Sequence, residues 1–190
     1  MSNDAYSDKA AQDFLEGGAT AAKWPRVGYV VEGTITGWSM AQQTDYDSGE
    51  ALYWDGSNRV KESVLRKQLP PGAKIPNREV MQMLLEIQGE PIGETWEGTA
   101  YNRVELPDDD GARIIYVKGS LQNALKLAIK NARGKLEVGA YVRIERQADG
   151  PKTNAKYAAP HRHTAVWTPA AQNPKAVTLA MGTDEESPFG

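Results

Sequence analysis

Flat aromatic side chains and cations recur together along this chain, and that pairing is its most legible chemistry. Five Trp and eight Tyr stand against two Phe. Trp and Tyr tolerate half-exposed positions with a polar atom in water, whereas Phe favours a core. An exposed ring is a platform on which any base can stack, for about 1–3 kcal/mol per base. Trp38, Tyr46, Tyr53, Trp54, Tyr116 and Tyr141 are the candidates, because they alternate with bases or sit in polar segments. Trp24, Trp96 and Trp167 read as structural. Arg59, Lys61, Arg66 and Lys67 follow the central aromatics, and Lys118, Arg143 and Arg146 accompany Tyr116 and Tyr141. Such cations neutralise phosphates and release counterions. Rings and bases together are what sequence-independent binding of a single nucleic-acid strand requires. Each also has an ordinary alternative, a ring at a barrel end or a charge on a solvated surface.

The net charge of −3 conceals an uneven distribution. Residues 59–78 carry six bases and only Glu62, and residues 111–170 carry eleven bases against three acids. Both ends are acidic. Local charge governs phosphate binding, so a pI near 5.5 does not exclude it.

Other chemistries find little support. Without cysteine, disulfides, thiolate metal sites and cysteine nucleophiles are excluded. His161 and His163 would share a strand face, but no third ligand completes a metal site. Asp108-Asp109-Asp110-Gly111 lacks the spacing of a calcium loop and reads as a turn. No phosphate loop, nucleophile elbow or dinucleotide fingerprint occurs. The expectation is a protein that is not an enzyme and needs no cofactor and no metal. No run of about 18 apolar residues could span a membrane. Residues 1–10 lack the apolar stretch of a secretory signal, which predicts a cytoplasmic protein.

The elements that must position these residues are mostly strands. Residues 27–38 are β-branched between glycines, with Val31, Gly33 and Ile35 on one face. Residues 42–54 predict a hairpin about Asp47-Ser48-Gly49-Glu50. Residues 55–79, with Pro70-Pro71-Gly72 and Pro76, predict a long basic loop. Residues 80–88 alternate, placing Met81, Met83, Leu85 and Ile87 on one face. A strand pair over 94–106 and a strand over 113–118 follow. Leu121, Ala124, Leu125, Ala128, Ile129 and Ala132 recur at helical spacing, with Ser120 to cap the helix and Gly134 to end it. Further strands are predicted over 141–146 and 156–168. The order fits a mainly β chain built as an OB-fold, a five-stranded barrel with one α-helix between its third and fourth strands, here with a long hairpin and loop insertion. A β-sandwich with one helix and an irregular α+β domain are the alternatives. Residues 1–23 read as a flexible arm in which Phe14 and Leu15 could anchor, 24–170 as the folded domain, and 171–190 as a disordered acidic tail.

Four stretches carry a family resemblance. They are the run from Gln42 to Glu50 with Tyr53-Trp54, then Arg113-Ile114-Ile115-Tyr116-Val117-Lys118-Gly119 before the helix, then Leu136-Glu137-Val138-Gly139 before Tyr141, and Lys156-Tyr157-Ala158-Ala159. Over about residues 14–168 the chain resembles single-stranded DNA-binding proteins encoded by bacteriophages of actinobacteria. The resemblance implies an OB-fold and a non-enzymatic role in DNA replication, recombination or repair within the host cytoplasm. The end of the chain is similar to the tip of bacterial single-stranded DNA-binding proteins, where an acidic run closes in Pro-Phe and docks on replication and repair enzymes. Here Asp184, Glu185, Glu186, Pro188 and Phe189 match that pattern, but Gly190 follows the Phe. The expected partners are single-stranded DNA and such enzymes, with no membrane, and with room for a homo-oligomer. The same residues also fit a β-barrel protein-interaction or virion structural module without nucleic acid, and an RNA-binding OB protein.

Overall fold

A computed structural model describes residues 20–97, 100–152 and 159–175, apart from the side chains of residues 96 and 97. Phe14, Leu15, Lys156, Tyr157, the Trp96 side chain and the acidic tip from Asp184 to Phe189 lie outside the described residues. The strands are β1 (Thr20–Ala21), β2 (Val30–Gln42), β3 (Leu52–Asp55), β4 (Asn58–Lys61), β5 (Met81–Gln88), β6 (Ile92–Glu97), β7 (Ala100–Glu105), β8 (Ala112–Val117), β9 (Tyr141–Asp149) and β10 (His161–Thr168). A short helix α1 (Glu62–Arg66) follows β4, and α2 (Ser120–Asn131), the one long helix among the described residues, lies between β8 and β9. None of the described helices is long and apolar enough to cross a membrane.

Six strands form a mixed sheet in the order β1-β8-β5-β2-β9-β10, while β3–β4 and β6–β7 are separate two-stranded hairpins. Among the described strands of this sheet only the β1–β8 pair is parallel. β2 is the pivot. Its first residues, Val30 to Thr34, pair with β9, and Thr34 to Gln42 pair with β5, with the register shifting between Ile35 and Gly37. Such a shift bends a strand and lets it serve two neighbours that diverge. Gly33 sits at that crossing, where a Cβ would stand 2.6 Å from the Gln88 carbonyl oxygen.

The expected closed five-stranded barrel is not found among the described residues. Instead the sheet is open, and β1 lies along the free edge of β8 that a closed barrel would offer to its last strand. Thr20 and Ala21 pair with Arg113 and Ile114, and Ala22 N–H donates to the Ile114 carbonyl at 2.8 Å. The arm expected over 1–23 therefore already belongs to the body at Thr20.

Period-2 alternation puts Ile35, Leu85, Ile87, Ile115, Val142, Ile144 and Trp167 on one face of the sheet. Leu121, Leu125 and Ala128 of α2 close over them, as the helical periodicity predicts. The ends of α2 differ from expectation. Gly119, at φ 58, precedes the first turn, and the Ser120 hydroxyl donates to the His161 carbonyl instead of capping. At the far end Arg133 takes the left-handed conformation, at φ 50. Gly134 serves packing: a Cβ there would lie 3.1 Å from Nε1 of Trp167. Beyond β10, the boundary expected at residue 170 moves outward. Asn173 is 2% exposed and its amide donates to Thr34 Oγ1 at 3.1 Å and to the Gly139 carbonyl at 2.8 Å.

Candidate nucleic-acid interface

In the segment joining β2 to β5, the expected long loop over 55–79 gives way to the β4 strand and α1 in its first half, while residues 67–80, which hold the prolines, form turns and irregular chain. Asp45 shapes its first turn by accepting hydrogen bonds from Ser48 N–H at 3.0 Å and Ser48 Oγ at 2.9 Å. The Lys61 ammonium closes the turn against the Asp45 carboxylate at 2.8 Å. Those hydrogen bonds, that from Lys61 first, hold the Asp45 carboxyl down to about 2. β3 and β4 then form a hairpin about Gly56, with Trp54 opposite Arg59 and Tyr53 opposite Val60. On its other side β3 meets the returning chain. Trp54 N–H donates to the Arg78 carbonyl at 2.7 Å, the Asn77 amide donates to the Trp54 carbonyl at 2.9 Å, and Tyr53 bridges Glu79.

Between β3, α1 and this return lies an open cavity of ≈ 700 Å³. Tyr53, Trp54, Arg66, Lys74, Arg78 and Glu79 line it. The Arg78 guanidinium lies over the Trp54 ring, 5.9 Å from its centroid. Arg66 is held by Glu62 at 3.0 Å and donates to the Ala73 carbonyl at 2.6 Å, which ties α1 to the Pro-rich return. The cavity thus combines two half-buried rings with three bases and a single carboxylate. Lys74 and Arg78 were not singled out by sequence reasoning; the +5 balance of 59–78 is the signal that contains them.

The remaining candidates fall elsewhere. Lys67 and Arg59 are exposed beside the cavity, Arg59 donating to Gln43 Oε1 at 3.4 Å. Tyr46 stands at the tip of the first turn, 95% exposed. Trp38 is 41% exposed and shares the face of its partner Leu85. Tyr116 is exposed on the opposite face beside Leu84, and strand alternation puts Tyr141 and Arg143 on that same face. Tyr141 is half-buried; burial, then Glu32, pushes its hydroxyl up to about 12. Arg143 lies between Glu32 at 3.5 Å and Glu145 at 3.1 Å. Lys118 is exposed just past β8.

Arg146 is diverted from this surface. Its side chain is 11% exposed, pairs with Asp149 at 2.7 Å and donates to the Trp24 carbonyl at 2.8 Å. It fastens the 20–29 segment to β9. Trp24, whose indole N–H donates to the Ile144 carbonyl at 3.2 Å, and Trp167 in the core are structural, as expected.

Comparison with protein-family models, with curated proteins and with solved structures found no match to this chain.

Proposed function

We propose that this chain is a non-enzymatic, sequence-independent single-stranded DNA-binding protein with an OB-type body. One observation carries the reading: the cavity of the β2–β5 insertion gathers Tyr53 and Trp54 with Arg66, Lys74 and Arg78. Rings supply stacking without base preference, and the bases track the phosphates. The strand order supports the OB component. Among the long strands β2, β5, β8, β9 and β10, the neighbours run third-second-first-fourth-fifth, with the helix after the third. OB-folds bind oligonucleotides on the face of their second and third strands and on the loop between their first and second. In this chain those are β5, β8 with exposed Tyr116, and the insertion that holds the cavity. The function is protection of exposed single strands in replication, recombination or repair, in a phage-infected host cytoplasm. The tip from Asp184 to Phe189 recruits partner enzymes.

Intrinsic Trp fluorescence, titrated with single-stranded DNA, duplex and RNA of mixed sequence, tests the proposal. Single-stranded DNA should quench the fluorescence and bind more tightly than duplex. Its affinity should fall with salt by about 0.7 in log–log slope per phosphate contacted. Equal affinity for duplex and single strand at moderate salt would refute it, and preference for RNA would reassign the substrate.

A further inference from the structure

Residues 112–136 contain Arg113, Lys118, Lys126, Lys130, Arg133 and Lys135 and no acid. Arg113 is taken up by Asp109 at 2.5 Å. The other five are exposed, and among the described residues none of them has an ion-pair partner. That contrasts with Arg26, Lys61, Arg66, Arg143, Arg146 and Lys175, each of which faces a carboxylate. Glu137, the next acid along the chain, is occupied in accepting the Ala170 N–H at 3.0 Å.

Lys126 and Lys130 stand one turn apart on α2, about 6 Å along its axis. Like charges at that spacing work against a helix. The dipole at the helix C-terminus favours Lys130 in the last turn but gives no reason for Lys126. Exposed bases are usually a solvated face. One feature separates this one, the missing countercharge; α2 covers the core face of the sheet and Tyr116 lies on the other, and the chain passes from one to the other at Lys118. Lys118 lies between the exposed Tyr116 and the start of α2. Leu127, 59% exposed beside the two lysines, offers apolar surface to a sugar or base edge.

We infer that the outer face of α2, through Lys126 and Lys130 with Lys118 leading to it, is a second track for the phosphate backbone of a strand whose bases are stacked in the insertion cavity. This rests on the single-stranded DNA reading. The two parts differ in physics. The cavity stacks bases, while the helix contacts only charge, so its contribution is salt-dependent and indifferent to sequence. A short oligonucleotide fills the cavity alone, and a longer one also reaches the helix.

The test is the double variant Lys126→Gln/Lys130→Gln, titrated with oligothymidylates of about 8 and about 40 nucleotides, the first within and the second well above the range of one OB site. Arg133 is left unchanged because of its left-handed backbone. Helix content should match the wild type and the melting temperature should match it or rise slightly, since Gln and Lys have similar helix propensity and the like-charge pair is removed. Binding of the long strand should weaken and its salt slope should flatten by about 1.4, or 0.7 per lost contact. The short strand should bind and quench fluorescence as before. An unchanged slope and affinity for the long strand would overturn the track, and so would an equal loss at both lengths. If the wild type ignores the short strand while the long one still responds to the lysines, the cavity reading fails and the track stands. If the wild type binds neither, both fall.

Discussion

Residue type alone pointed to Tyr53, Trp54 and Arg66, and the fold brings these three to one cavity. It could not reveal which bases are already committed. Lys61 and Arg146 look like their neighbours in sequence, yet Asp45 and Asp149 hold them. Nor could it single out Lys74 and Arg78, which reach the cavity only because the chain returns along β3. The distinction makes two predictions. Trp54→Ala should leave the fold intact, since its ring lies in the insertion and outside the main core. It should lower single-strand affinity by roughly 1–3 kcal/mol, the loss of one stacked base. Fluorescence anisotropy with labelled DNA measures this, and an unchanged affinity would remove Trp54 from the site. Arg146→Ala should do the reverse. It leaves the Asp149 carboxylate unpaired and frees the Trp24 carbonyl, so urea unfolding should show lower stability while the salt slope of DNA binding stays the same.

The elements themselves were largely legible, because periodicity is local. The 3.6-residue pattern of α2 appears as read, and the alternation of β5 holds at Leu85 and Ile87, which are buried, but not at Met81, which is 41% exposed. What periodicity could not show is a strand with two partners: β2 changes neighbour midway, and the property belongs to β5 and β9 as much as to β2. The end of α2 is a second instance. Gly134 looks like the terminating glycine, but Arg133 adopts the left-handed conformation and Gly134 makes room for Trp167. Two neighbouring substitutions should therefore have opposite signs. Arg133→Gly relieves a strain of about 1–2 kcal/mol against an entropic penalty of about 0.5–1 kcal/mol, and should raise stability slightly. Gly134→Ala presses a methyl group onto a buried indole and should lower it by about 1–3 kcal/mol, as overpacking does. Urea midpoints for the two variants decide the matter; a stabilising Gly134→Ala would mean that Trp167 yields freely.

At the scale of the whole molecule, the open sheet raises the question of what holds its N-terminal strap and its last strand in place. β1 and β10 occupy its two edges, and the residues that link the strap, α2 and β10 meet at His163. Its ring packs edge-on against Trp24 at 5.1 Å between centroids, and its Nδ1 lies 3.1 Å from the Ser120 hydroxyl. Burial first, then the nearby His161 and Arg146, lower its pKa below the ordinary 6.5. The folded state therefore prefers the neutral ring. Between the folded and unfolded pKa values the unfolded chain binds more protons, so stability rises with pH in that window. In the other direction, stability is complete above the unfolded value and is lost as pH falls through about 6.5. Loss should level off once pH passes below the folded pKa, where both states are protonated. Urea unfolding at a series of pH values from 7.5 to 5, a range above most carboxylate titration, should show the midpoint falling on the acid side. His163→Gln should flatten that dependence whatever it does to stability at neutral pH, because the titrating group is gone. A profile equally steep in the variant would place the acid sensitivity elsewhere and leave His163 a packing residue only.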